Sequence, residues 1–153
     1  MGAFEVTRSQ WVDAPPEAVR AQVVDFRRWQ AWSPWEELDP DLERDYTGPE
    51  SGVGAHYAWS GNKKAGIGSM EITAVTDERV DLDLHFEKPF PADNKVYFEL
   101  PAMDGGTQVT WGMRGETKGF FGLFTKVVPM DKLVGKDFAR GLQQLKAEAE
   151  RSG

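Results

Sequence analysis

Two hydrophobic repeats divide the chain. Apolar and polar residues alternate through much of residues 4–117, and a repeat near 3.6 takes over towards the C-terminus. The first alternating run, FEVTRSQWVDA at 4–14, predicts a strand that stops at Pro15-Pro16. Proline can open a helix because its missing N–H needs no partner in the first turn, and PEAVRAQVVDF reads as that helix. WQAWSPW, Trp29 to Trp35, predicts a further helical turn or two ending near Pro34. An acidic linker through Asp45 then leads back to extended chain.

From Asp45 to Thr117 the pattern is hairpin after hairpin, with turn chemistry at Gly61–Gly66, Asp77–Glu78, Pro89–Asn94 and Asp104-Gly105-Gly106. Alternation puts Tyr57, Trp59, Met70, Ile72, Val80, Leu82, Leu84 and Phe86 on one face, followed by Val96, Phe98, Leu100, Val109, Trp111 and Met113. The other face carries Asp81, Asp83, His85, Glu87, Lys95, Glu99, Thr110 and Arg114 and is expected to meet water. In the C-terminal stretch, Val127, Met130, Val134, Phe138, Leu142 and Leu145 form one stripe at about 100° per residue, the mark of an amphipathic helix. Pro129 predicts a kink or restart there, and Gly119 and Gly122 a loose approach.

A sheet with one wet face needs cover on its dry face, and this last helix is the long amphipathic element available for it. The expected fold is α+β: a curved antiparallel sheet gripping a C-terminal helix, with two short helices between the first and second strands. A strongly curved sheet cannot touch a straight helix everywhere, so a gap lined by large inward residues should remain. Tyr57, Trp59, Trp111 and Met113 are expected to line it, with the inward Met70, Phe86 and Phe98. Trp32 and Trp35, three apart, would close one end, with Trp29 about a turn away. From the helical side the candidates are Phe124, Val128 and Phe138. Each of these residues can equally be core filler, and the pattern leaves both readings open.

Composition narrows the function classes. The chain has 153 residues, enough for one domain spanning 1–153. With 18 basic and 25 acidic side chains its formal charge is −7. That charge repels phosphate backbones and anionic headgroups, so nucleic acid is not expected as a partner. No apolar run is long enough to span a bilayer and no export signal opens the sequence, so the expected location is cytoplasmic, without stable membrane insertion. Absence of cysteine excludes disulfides and thiolate chemistry.

Candidate chemistry is sparse. Arg8 and Gln10 point inward if the alternation ending at Val12 holds, and Asp131 lies near the stripe of the last helix. These three are the possible polar groups of the gap, where Arg8 could bind an anionic head or pair with Asp131. His56 and His85 fall on outward positions of strands separated by a third, about 10 Å apart, too far to share a metal shell. Asp39, Asp41, Glu43, Asp45 and Glu50 match calcium-loop spacing, but Arg44 stands where that loop needs glycine. Gly61 to Gly66 has phosphate-loop glycine spacing, yet Ile67-Gly68 replaces the required Lys-Ser/Thr. Ser33 and Ser60 lack a nucleophile elbow. No metal or cofactor is expected.

DAPPEAV (13–19), FRRWQAWSPW (26–35), YTGPESGVG (46–54), YAWSGNKKAGIGSMEI (57–72), GTQVTW (106–111) and VGKDFARGLQQLK (134–146) together resemble the bacterial polyketide cyclase/dehydrase-like branch of the SRPBCC, or START-related helix-grip, superfamily. The resemblance runs nearly end to end. It implies a seven-stranded sheet wrapped around a long C-terminal helix with a deep hydrophobic pocket. It is broad in function, because the superfamily includes cyclases, lipid-transfer domains and ligand-binding domains. The expected function is binding of a small hydrophobic molecule, aromatic, polyketide-like or lipid-like, between sheet and helix. One alternative is a cyclase or dehydratase in which Tyr57, Arg8 or Asp131 assists proton transfer. Another is a protein- or membrane-interaction module that uses Phe120–Val128.

Overall fold

Period-two alternation builds the sheet of the computed structural model, which describes residues 2–88, 91–117 and 130–152. In chain order the strands are β1 Gly2–Val12, β2 Glu43–Thr47, β3 His56–Ser60, β4 Ile67–Val75, β5 Arg79–Lys88, β6 Ala92–Glu99, β7 Ala102–Met103 and β8 Gly106–Thr117. The helices are α1 Pro16–Val23, two 3₁₀ helices at Phe26–Ala31 and Pro34–Glu37, and α2 Met130–Ser152. Strands follow the antiparallel order β1-β8-β6-β5-β4-β3-β2, with the two-residue β7 pairing β8 off that path. The expected seven-stranded sheet, long terminal helix and short helices after the first strand are all present. Pro34, expected to end a helical stretch, instead opens the second 3₁₀ helix, where its missing N–H costs no hydrogen bond. Phe120–Val128, Phe124, Val128 and Pro129 lie outside the described residues, as does the side chain of Asp131.

Strand order makes β1 and β2 the two edges of the path, although they are neighbours in sequence. The segment joining them must therefore cross the sheet, six strand spacings or roughly 29 Å if laid flat. Curvature shortens that crossing. Register shifts at Ile67/Gly68 and at Ile72/Ala74 mark where β4 departs from β5, and such bulges bend and twist a sheet. The crossing segment carries α1 and both 3₁₀ helices over the concave face, and so delivers the tryptophan-rich run there.

The inward set read from alternation is buried on that face, from Tyr57, Met70 and Ile72 through Leu82 and Leu84 to Phe98, Trp111 and Met113, while Trp59 and Phe86 are half-buried. α2 packs along β1 with Phe138, Leu142, Leu145 and Ala149 buried. At the centre, the Trp111 ring stacks on Phe138 at 4.1 Å and on Phe98 at 5.0 Å. The Trp29 and Trp32 rings meet its edges at 6.0 and 5.5 Å. A Cβ at Gly141 of α2 would come within 2.8 Å of the Trp111 ring, so glycine is what lets helix and sheet close there. Sheet and helix thus interlock at Trp111.

The outer face departs from its polar pattern at Tyr97. Tyr97 is buried although Lys95 and Glu99 on either side are exposed. Its ring lies on Gly112, with the Arg79 guanidinium 4.5 Å from the ring centroid and its hydroxyl donating to Glu5. Burial, and then the hydrogen bond to Glu5, push the phenol up to about 12.

Two outcomes follow from this packing. Trp111→Ala should lower unfolding free energy by about 3 to 5 kcal/mol in urea titration; a loss below about 1 kcal/mol would mean that the ring stack does not hold the layers together. The raised phenol of Tyr97 stabilises the fold fully below pH 10, and that contribution is lost as pH rises towards 12. Stability should therefore fall more steeply across that window in the wild type than in Tyr97→Phe, and parallel curves would remove Tyr97 from the account.

Candidate ligand cavity

Short 3₁₀ helices repeat every three residues, so side chains at i and i+3 lie on one side. Trp29 and Trp32 obey this, with ring centroids 4.6 Å apart. Their indole N–H groups donate to Val23 O at 2.8 Å and Gln22 O at 3.2 Å, carbonyls at the C-terminal end of α1 that a helix leaves without internal partners. The indoles thus fasten the crossing segment to α1. Trp35 points the other way, its Nε1 donating to Asp137 Oδ2 of α2 at 3.2 Å.

Beside this roof, towards β3 and β4, a cavity of about 430 Å³ remains. Its floor is Tyr57, Trp59, Met70 and Phe86 from the sheet, and its roof Trp29, Ser33, Trp35 and Glu36. Leu38, Leu42, Lys64 and Ala65 close the side, while Val134 and Asp137 come from α2. Trp59 spreads over Gly68, where a Cβ would lie 2.6 Å from the indole, and its Nε1 donates to Ala65 O at 2.9 Å. The turn carrying Lys64 and Ala65 is tied to the roof, since Asp39 Oδ2 accepts from Asn62 N at 2.8 Å and Leu38 O accepts from Asn62 Nδ2 at 3.1 Å. The acidic segment that matched calcium-loop spacing is thereby divided: Asp39 holds a turn, and Glu43 and Asp45 belong to β2.

One carboxylate stands inside this wall. Glu36 is 9% exposed, accepts from Arg44 Nε at 2.8 Å on Oε1 and from the Tyr57 hydroxyl at 2.9 Å on Oε2. Burial works against the charge of Arg44, but the hydrogen bond and charge of Glu36 outweigh it and leave its pKa raised. Burial first, and then the Glu36 charge and hydrogen bond, push the Tyr57 phenol far above its ordinary range. Tyr57 therefore keeps its proton and serves as a donor, which excludes it as a general base near neutral pH.

Of the residues expected to line the gap, the cavity brings together Trp35, Tyr57, Trp59, Met70 and Phe86. Trp32, Phe98, Trp111, Met113 and Phe138 face the same interior but belong to the packed core beside it. Arg8 does turn towards α2, yet its guanidinium packs on Gly135 and Nη1 donates to Thr7 O at 2.7 Å. Gln10 Nε2 donates to Trp11 O at 3.0 Å. Neither borders the cavity. Among the described residues the polar wall groups are instead Ser33, Glu36, Lys64 and Asp137. Spacing held a signal for Asp137, which stands three residues after Val134 on one face of α2. Among the described residues no group of three or more His, Asp or Glu side chains could hold a metal ion, and no helix is long and apolar enough to cross a membrane.

Solved structures share this architecture along almost the whole chain. Mll3558 from Rhizobium loti is 17% identical with a TM-score of 0.71, covering 96% of this chain and 97% of its own. TTHA0849 from Thermus thermophilus is 18% identical with a TM-score of 0.69, covering 98% and 99%. Ara h 8.0201 is 17% identical with a TM-score of 0.61, covering 99% and 97%. At such identities the likeness speaks for the fold alone. No curated protein matches the chain significantly. Residues 3–150 match the family described as polyketide cyclase / dehydrase and lipid transport, and the chain belongs to that family.

Proposed function

We propose that this protein binds a small hydrophobic molecule, ring-bearing or lipid-like, in the cavity between β3–β5, the 3₁₀ roof and the start of α2. The observation that carries the reading is a void of about 430 Å³ faced by Trp29, Trp35, Tyr57, Trp59, Met70 and Phe86. Its size falls within the range of small-molecule sites. Its apolar walls are left facing water when it is unfilled, whereas a hydrophobic guest covers them. The aromatic faces suit flat ligands through offset and edge contacts, and Met70 adapts to varied shapes. The lipid-transport part of the family description agrees with this reading.

A cyclase or dehydratase acting on a polyketide-like chain is the second reading. What favours it is Glu36, a carboxylate in the cavity wall paired with Arg44 and hydrogen-bonded to Tyr57. Such a group could take a proton from a bound molecule, Tyr57 keeping its own. Native mass spectrometry of protein purified from its host separates the two, since a carrier retains one intact ligand and an enzyme yields a substrate–product mixture under turnover.

The cavity itself is testable with the neutral fluorophore N-phenyl-1-naphthylamine. The wild type should bind it with enhanced probe emission. Met70→Trp, which fills the floor, should weaken binding about tenfold or more while moving the urea midpoint little. Absence of binding by the wild type, or equal binding by a folded Met70→Trp, would overturn the proposal.

A further inference from the structure

Hydrogen-bonding capacity in the cavity wall is lopsided. Each aromatic N–H or O–H that borders the void is already engaged: Trp29 with Val23 O, Trp35 with Asp137 Oδ2, Tyr57 with Glu36 Oε2 and Trp59 with Ala65 O. The Tyr57 proton is fixed in that role, since burial and Glu36 hold the phenol in its neutral form. Acceptors remain. An ionised carboxylate offers about four lone-pair sites and no proton. Glu36 uses one site on each oxygen, for Arg44 Nε and Tyr57 Oη, and Asp137 accepts from Trp35 on Oδ2.

Among the described residues two other polar side chains border the void. Ser33 is 3% exposed and makes no capping hydrogen bond, so its hydroxyl can turn to either role. Lys64 is exposed on the β3–β4 turn, where water and salt screen its charge. Among the described wall residues, then, a guest meets carboxylate acceptors and aromatic faces, with the buried Ser33 hydroxyl as the available uncharged donor.

We infer that the cavity selects hydrophobic ligands whose polar group donates hydrogen bonds, an ammonium, phenol or alcohol, and discriminates against ligands ending in a carboxylate. This rests on the cavity being a binding site. A donor finds the open lone pairs of Glu36 and Asp137, and an ammonium gains further from the ring faces of Trp29, Trp35 and Trp59. A carboxylate loses its hydration and faces two groups of its own sign, which is discrimination by an unpaired buried charge. The chain's formal charge of −7 acts in the same sense.

The experiment is calorimetric titration at pH 7 with four probes on one skeleton: 2-methylnaphthalene, 2-naphthalenemethanol, 2-naphthylmethylammonium and 2-naphthoate. The ammonium and alcohol should bind at least as tightly as the hydrocarbon, and naphthoate about tenfold or more weakly than the alcohol. Glu36→Gln and Asp137→Asn, each of which adds N–H donors to the wall, should narrow that gap. Naphthoate binding as well as the alcohol overturns the inference, and so does a gap that stays the same width in both folded variants. If 2-methylnaphthalene and the alcohol both fail to bind, the cavity reading itself falls; if they bind and the order of polar groups is reversed, only the donor preference does.

Discussion

Ring-on-ring contact between Phe98, Trp111 and Phe138 sets the distance between sheet and helix, and the rest of the interior is arranged around that distance. The three rings bridge β6, β8 and α2 at 5.0 and 4.1 Å between successive centroids. Gly141 allows the helix to come that near. Where the stack stands, the layers are closed. Towards β3 and β4 the sheet bends away from the helix, the roof segment passes over the opening, and the remaining volume becomes the cavity.

Much of this was legible in the sequence, for a physical reason. A sheet with one dry face punishes any slip of register, because a shift of one residue turns every apolar side chain to water. Alternation therefore identified the inward positions from Tyr57 to Met113. It could not say how far along that face a residue sits. Trp59 and Trp111 have the same orientation, yet one borders the void and the other fills the core, and only curvature and the placement of α2 separate them. Arg8 illustrates the same limit, with its direction readable and its burial against Gly135 not. Glu36 escaped for a different reason. It sits in a four-residue helix too short to show a period, next to an acidic run that reads as linker, and its partners Arg44 and Tyr57 lie on two separate strands.

A buried carboxylate is costly unless its charge and lone pairs are met. Arg44 and Tyr57 meet those of Glu36 in part, and so join the roof to β2 and β3. Outward-facing ion pairs such as Arg79–Asp81 and Lys95–Asp83 stand in water and hold no cavity wall; pairs of that kind contribute little to stability. The position of a charge relative to the void, more than its existence, decides its bearing on function.

The two sides of the chamber differ in how they are held. Its floor belongs to strands laddered to neighbours on both sides, β3 between β2 and β4, and β4 between β3 and β5. Its roof is two brief 3₁₀ helices fixed largely by side chains, through Trp29, Trp32, Trp35 and Glu36. Segments with few backbone bonds yield more readily than laddered ones. Shape selectivity should accordingly reside in the stiff rings of Tyr57, Trp59 and Phe86, while the compliant roof accommodates guests of differing thickness.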